Sequence, residues 1–448
     1  MNSSLSTDLH DLAPTAIAAE YERRRLHEVP DSRLVAVVAA AIAAPRQQPA
    51  DSFVLHAPLE LAARAALLPM VHSDQRRLAR MRIVAVGAQY LQYEPYAPCV
   101  AGPGSSGQAA QGSPATASAA LQHLCAALTA GDLAATDAAA VAVAAVATRA
   151  QVVAALAPVV APLTGAAAHA PIYLFQLLRR DALLGPDLRL LRPLMRELAR
   201  HPDWRIEWID GWRPKAPTDP GRLSRALADL PVLGVPGSSF IHPLMMQVDR
   251  SGVAEGLLGP VLGHRTPAAE RAVLRLAASS MLHEPAEHAR YGWTHCLTLP
   301  QALLGTTSGT AHADLGLALA ATHVAAFRAA LGTPEGAHRI RGSLVGDANG
   351  LINADSAVDA DARPDTDSAV DAYARPDADS ALGAYELATA AATRHDAHVV
   401  KYCLACLDAA DDDPVAAGLY LAAARRLLDV WADDGGDPTD PLAATIAQ

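Results

Sequence analysis

Apolar residues recur at three-and-four spacing in "SRLVAVVAAAIAA", "HAPLELAARAALLPMV", "QRRLARMRIVAVGAQYL", "PDLRLLRPLMRELARH", "ERAVLRLAASSMLH" and "LGLALAATHVAAFRAAL". Each run predicts an amphipathic helix, and Pro- or Gly-marked turns separate them. Strand patterns are weak throughout, and no βαβ rhythm appears. The pattern therefore predicts an all-α protein: one large multi-helix domain over residues 1–448. Composition points the same way. Apolar residues make up 51 % of the 448 and aromatics only 4 %, and alanine, the best helix former, is abundant.

Two stretches break the rhythm and read as inserts. "PCVAGPGSSGQAAQGSPATAS", residues 98–118, is a Gly/Ser/Ala linker. Its Gly102, Gly104 and Gly107 match a dinucleotide-binding spacing, but low complexity on both sides replaces the strand and helix that such a site needs. The second insert, residues 354–380, repeats "DSAVDADARPDT" and "DSAVDAYARPDA" at a period of twelve. Acidic, Pro-punctuated and poor in apolar partners, it is expected to be disordered and without catalytic duty. Its last copy runs into a helix, "GAYELATAAATRHDAHVVKYCLACLDAA".

Net charge is −11, which argues against a nucleic-acid partner, since phosphate binding needs a basic face. The N-terminus lacks a basic region followed by an apolar stretch. "AAAVAVAAVATRAQVVAAL" is interrupted by Arg149 and falls short of a membrane span. The expectation is a soluble, cytoplasmic protein without a membrane partner. Five cysteines (Cys99, Cys125, Cys296, Cys403, Cys406) do not make a disulfide framework. The C-x-x-C at Cys403 reads as reduced core.

Histidines carry the chemistry. Of seventeen, six lie in apolar helical context: His56, His169, His242, His295, His323 and His398. Burying several imidazoles costs free energy that partners or a metal must offset. His56 and His169 both precede Ala-Pro, and His242 directly precedes Pro243. Proline fits a first helical turn, so each histidine is expected at the rim of a helix start, with restricted backbone freedom. A plain helix start with a capping ring explains the same pattern, and His242 reads either as that or as a substrate contact. His295 sits in "WTHCLTLPQALL", where Pro300 is expected to end or kink a turn. His395, His398 and Lys401 are three apart and form a stripe on one predicted helix face. Lys401 is either a snorkelling surface lysine or a buried one with a carboxylate partner, a lowered pKa or a covalent modification. "HEPAEH" at His283 is one residue too long for a helical H-E-x-x-H zinc motif, and neither a G-x-S-x-G elbow nor a Walker A loop occurs.

Taken in order, "FVLHAPLELAARAALL", "AHAPIYLFQLL", "WTHCLTLPQALL" and "HDAHVVKYCLACLDA" resemble the questin oxidase-like family, over roughly Ser52 to Trp431 without the two inserts. That family opens aromatic polyketide rings, typically anthraquinones, in secondary metabolism. The resemblance implies an all-α fold with a mononuclear non-heme Fe(II), held by His56, His169, His295 and His398 with Lys401 as a carboxylated ligand. Lys401 would then be a catalytic residue, with His242 beside the substrate. It also implies a small aromatic substrate, with O2 as co-substrate. Candidate walls for the substrate pocket are Tyr173, Phe240, Met245, Met246 and Trp293, residues that core packing explains equally well. Where the family's first motif pairs asparagine with histidine, this chain has Leu55-His56. Two other readings compete: a flavin-free Baeyer–Villiger-type oxidase consuming NADPH, against which the missing nucleotide motif counts, and a non-catalytic helical binding protein whose histidines are structural.

Overall fold

The computed structural model describes residues 12–13, 16–50, 52–92, 116–179, 188–233, 241–346, 378–433 and 440–443. Within them the secondary structure is helical. Two isolated bridges, Leu163–Arg205 and Pro217–His264, are the nearest approach to a strand. The all-α expectation holds. The linker at 98–118 and the acidic repeat at 354–380 lie outside the described residues, except that their last three positions fall at or inside the start of a helix. Phe240 and Cys99 also lie outside them.

Contacts gather the chain into two compact units, neither of them contiguous in sequence. The first comprises 1–205, 392–400 and 437–448; the second comprises 206–391 and 401–436.

The first unit begins with α1 (Ile17–Arg23), α2 (Asp31–Ile42), α3 (Ser52–Leu67) and α4 (Arg76–Leu91). It continues through α5 (Ala117–Ala130), α6 (Leu133–Val146), α7 (Arg149–Val160), α8 (His169–Arg179) and α9 (Leu191–Leu198). Helix starts carry the expected side-chain caps. Thr116 accepts from Ala119 N–H, Asp132 from Ala134 and Ala135, and Thr148 with Gln151 forms a capping box. Each such cap stabilises its helix by about 1 kcal/mol. The Thr148 cap also splits the apolar run around Arg149 into two helices, α6 and α7. Helices α2, α3 and α4 pack on one another, and α3 packs on α8.

The second unit contains α10 (Pro220–Ala228), α11 (Ile241–Arg250), α12 (Val253–Leu258), α13 (Pro267–His283), α14 (Thr294–Thr307), α15 (Ala313–Leu331), α16 (Pro334–Gly346) and α19 (Ala417–Asp433). Helix α13 is its hub, in contact with α10, α14, α15, α16 and α19. Helices α14 and α15 approach closely because Gly316 has no side chain. A Cβ there would collide with the Thr307 hydroxyl. Two further helices, α17 (Ala378–Thr393) and α18 (Ala397–Asp412), each have residues in both units. Phe53–Met70 and Ala313–Leu331 are long and apolar enough to span a bilayer, and most of each is buried in the fold.

Candidate metal centre

His56 does not stand at a helix start. Helix α3 begins at Ser52, so His56 occupies its second turn and Pro58 lies inside the helix, supplying no N–H to the turn before it. His169 does open α8, with Pro171 in the first turn as expected. Ahead of it, Ala166, Ala167 and Ala168 all adopt left-handed φ values of 50°, 49° and 54°. That conformation costs an L-residue roughly 1–2 kcal/mol, so the turn is strained. Such strain is a signal that the sequence "GAAAHAP" does not carry, because Gly, Asn and Asp, not alanine, are the residues that mark a left-handed turn.

The strained turn has a local consequence. It brings the Ala166 carbonyl to 2.8 Å from His169 Nδ1. A carbonyl only accepts, so Nδ1 carries the proton and Nε2 is the lone-pair nitrogen of the neutral ring.

His398 arrives by a different route. The helix expected to run unbroken from "GAYELATAAATR" into "HVVKYCLACLDA" is broken at Arg394–Asp396, giving α17 and α18. Asp396 causes the break by capping α18, accepting from the N–H groups of His398 at 2.6 Å and Val399 at 3.2 Å. Its Oδ1 also lies 3.3 Å from His398 Nδ1, an ion-pair distance. Burial alone would raise the Asp396 carboxyl. Its contacts with the His398 ring and with the two N–H groups outweigh that and hold it below the usual range. His395 therefore lies in the turn, 3.2 Å from the Gln89 amide nitrogen, and leaves the predicted stripe. His398 and Lys401 remain one turn apart on α18, both buried.

Within the first unit three of the predicted ligands meet. The His56 ring lies edge-on to His169, with centroids 4.4 Å apart and an interplanar angle of 83°. His398 also packs on His56, with centroids 4.3 Å apart and an interplanar angle of 59°. All three side chains are buried, and the candidate ligand nitrogens of His56 and His169 lie within 4.8 Å of each other. Imidazoles about 2.1 Å from a shared ion are separated by roughly 3–4 Å, so a small side-chain adjustment suffices. His56 and His169 thus offer two nitrogens that fit a shared divalent transition metal, with His169 restrained through Nδ1 as metal-bound histidines are, and His398 packs against His56 with the Asp396 carboxylate 3.3 Å from its Nδ1. In the same unit a narrow cleft is lined by Arg46, Leu55, Pro58, Leu59, Tyr173 and Glu197. Its free volume is about 20 Å³, room for a water- or dioxygen-sized molecule.

The remaining predicted site residues lie in the second unit. His295 is buried in the first turn of α14, after a π-helical turn at Ala289–Trp293. Its Nδ1 donates to the Tyr291 carbonyl at 2.5 Å, the same tautomer-fixing contact as at His169. Pro300 sits inside α14, which runs on to Thr307. His242 and Met246 line a shallow groove on α11, whereas Met245 and Trp293 are core side chains. His323 is buried in α15, and burial lowers its pKa to about 4. "HEPAEH" has a structural role: Glu284 is buried and paired with Arg328. Cys296 and Cys403 are buried thiols pushed up to about 12, and burial also raises Cys406. No protein-family model, curated protein or solved structure matches the chain.

Proposed function

We propose that this protein is a non-heme Fe(II)-dependent oxygenase with an aromatic, anthraquinone-like polyketide as its substrate class. The observation that carries the metal part is the buried trio His56, His169 and His398: His169 and His398 both pack on the His56 ring, the nitrogens of His56 and His169 lie within 4.8 Å, and the Ala166 carbonyl takes the Nδ1 proton of His169. Neutral imidazoles are good ligands for Fe(II), and coordination offsets the cost of burying both the rings and the cation. The substrate class and the ring-opening chemistry rest on the family resemblance of the four histidine-bearing stretches.

Iron bound there would supply the open positions at which dioxygen and a substrate oxygen anion meet. The chain's own residues do the rest. The Ala166 carbonyl holds the His169 ring in orientation, and Asp396 caps the helix that carries His398, with its carboxylate 3.3 Å from that ring's Nδ1. The resemblance adds His295 and Lys401 as further ligands. For Lys401 to ligate through oxygen, its amine attacks carbon dioxide, a nitrogen–carbon bond forms, and one nitrogen proton is released to solvent. The product carbamate is an anionic oxygen donor.

Oxygen uptake by protein loaded anaerobically with Fe(II) tests the reading, with a hydroxylated anthraquinone as the probe. The expected result is uptake that requires iron, stops on chelation and proceeds without NADPH. Uptake that needs NADPH and ignores chelators would favour the Baeyer–Villiger-type alternative. Iron-free protein that binds the aromatic without turnover would favour the binding protein.

A further inference from the structure

The face of α3 that carries His56 continues through Glu60 to Arg64, four residues apart at each step and so aligned along the helix. All three are buried, Arg64 to 1 % exposure. Arg64 donates through Nε and Nη2 to a single oxygen of Glu60, at 2.8 and 2.5 Å. Its other N–H groups reach the carbonyls of Ala392, at 2.8 Å, and Arg394, at 2.7 Å. From α4, Arg82 takes the carbonyl in between, Thr393, at 2.8 Å, and is itself gripped by both carboxylate oxygens of Asp440. Three successive carbonyls at the end of α17, which the helix cannot satisfy internally, are thus capped by two arginines. Four residues beyond Arg394 the chain delivers His398 to His56, at the other end of the same stripe.

We infer that the Glu60–Arg64 pair is a positioning device: it fixes the register of the turn at 392–396 against α3 and thereby sets His398 on His56. The inference rests on the metal-centre reading above. A pair serving stability alone would have little reason to be ionic, since well-packed apolar residues hold a helix contact as well without the cost of desolvating two charges. What an apolar pair cannot do is define a single register. The guanidinium fork does so, because its N–H groups point in fixed directions and three acceptors must be met at once. Glu60 holds the fork at the right rotation about α3, and the Arg82–Asp440 pair holds the turn from the second side.

The test compares the wild-type chain with the double variant E60M/R64M and with Arg64→Lys. Three quantities are read: thermal stability, Fe(II) affinity by anaerobic titration, and amide hydrogen exchange over residues 392–400 in metal-free protein. The double variant leaves the Ala392 and Arg394 carbonyls without their donor, so it should melt below wild type while remaining folded, bind Fe(II) about 10- to 100-fold more weakly, and exchange faster chiefly over 392–400. Arg64→Lys keeps the pairing with Glu60 but cannot reach both carbonyls, so its loss should be intermediate. It also keeps the test open if the double variant folds poorly. Wild-type Fe(II) affinity and unchanged exchange in a folded variant would overturn the inference. Failure of the wild type itself to bind Fe(II) would sink the proposed function with it, a result that the wild-type titration shows separately.

Discussion

Glu60–Arg64 in the first unit and Glu284–Arg328 in the second are both buried ion pairs whose arginine also reaches a carbonyl at a helix end, two of them for Arg64 and one for Arg328. In the second unit Arg328 donates to the Leu227 carbonyl at the end of α10 and to the Ser280 hydroxyl on α13. Glu284 also accepts the N–H and the hydroxyl of Thr333 at the start of α16. Gly336 leaves room for that carboxylate, which a side chain there would strike. The network closes on itself, tying four helices together. In the first unit the same motif is continued along α3 by a histidine whose ring faces two more. A buried polar network that ends in its own partners is explained by the fold; one that ends in a cluster of imidazoles points to something the chain binds.

The largest expected effect breaks the second network. Arg328→Ala leaves Glu284 buried beside hydrogen-bond donors but without its counter-charge, which should cost about 3–5 kcal/mol in chemical denaturation. Metal content of the surviving folded fraction should be unchanged. If that variant lost iron selectively, the division between a structural and a ligand-directed pair would be wrong.

His323 sharpens the contrast with the clustered histidines. Burial lowers its pKa to about 4 in the folded protein, against about 6.5 when unfolded. The unfolded state therefore takes up a proton first as pH falls. The stabilisation is fully present above about pH 6.5, is lost progressively toward pH 4, and amounts to something on the order of 3 kcal/mol. His323→Phe should flatten this part of the stability–pH profile and leave iron binding intact, which denaturation at several pH values and a metal titration would check.

A smaller effect concerns the left-handed alanines. Ala167→Gly accepts its φ of 49° without steric cost and should stabilise the fold by about 1 kcal/mol. The same change loosens the turn whose Ala166 carbonyl holds His169, so iron affinity should fall as the melting temperature rises. A rise in both would show that the strain has no part in orienting the ring.

The helical architecture was legible because the three-and-four pattern directly records which faces are buried, and the histidine-bearing stretches stood out as costly residues in apolar context. The details that build the centre were less visible. The four polar residues Thr393 to Asp396, ending in a preferred N-cap residue just before the apolar run, were a local signal for the break that the three-and-four reading of the flanking helices passed over. Pro58 suggested a helix start, yet tertiary packing extends α3 back to Ser52. Glu60 and Arg64 were in plain view within "HAPLELAAR" as an ordinary i,i+4 pair. Their role depends on carbonyls more than three hundred residues away, which no local spacing can reveal.

The central claim is that His56, His169 and His398 form a metal centre. Its most direct test is the iron content of the folded chain after anaerobic loading with Fe(II) and removal of excess metal, in the wild type and in single alanine variants at these three positions, with His323→Phe as control. The account predicts about one iron per wild-type and control chain, and marked loss in all three alanine variants with helicity retained. Wild-type protein that is folded and free of iron, or alanine variants that keep it, would contradict the account.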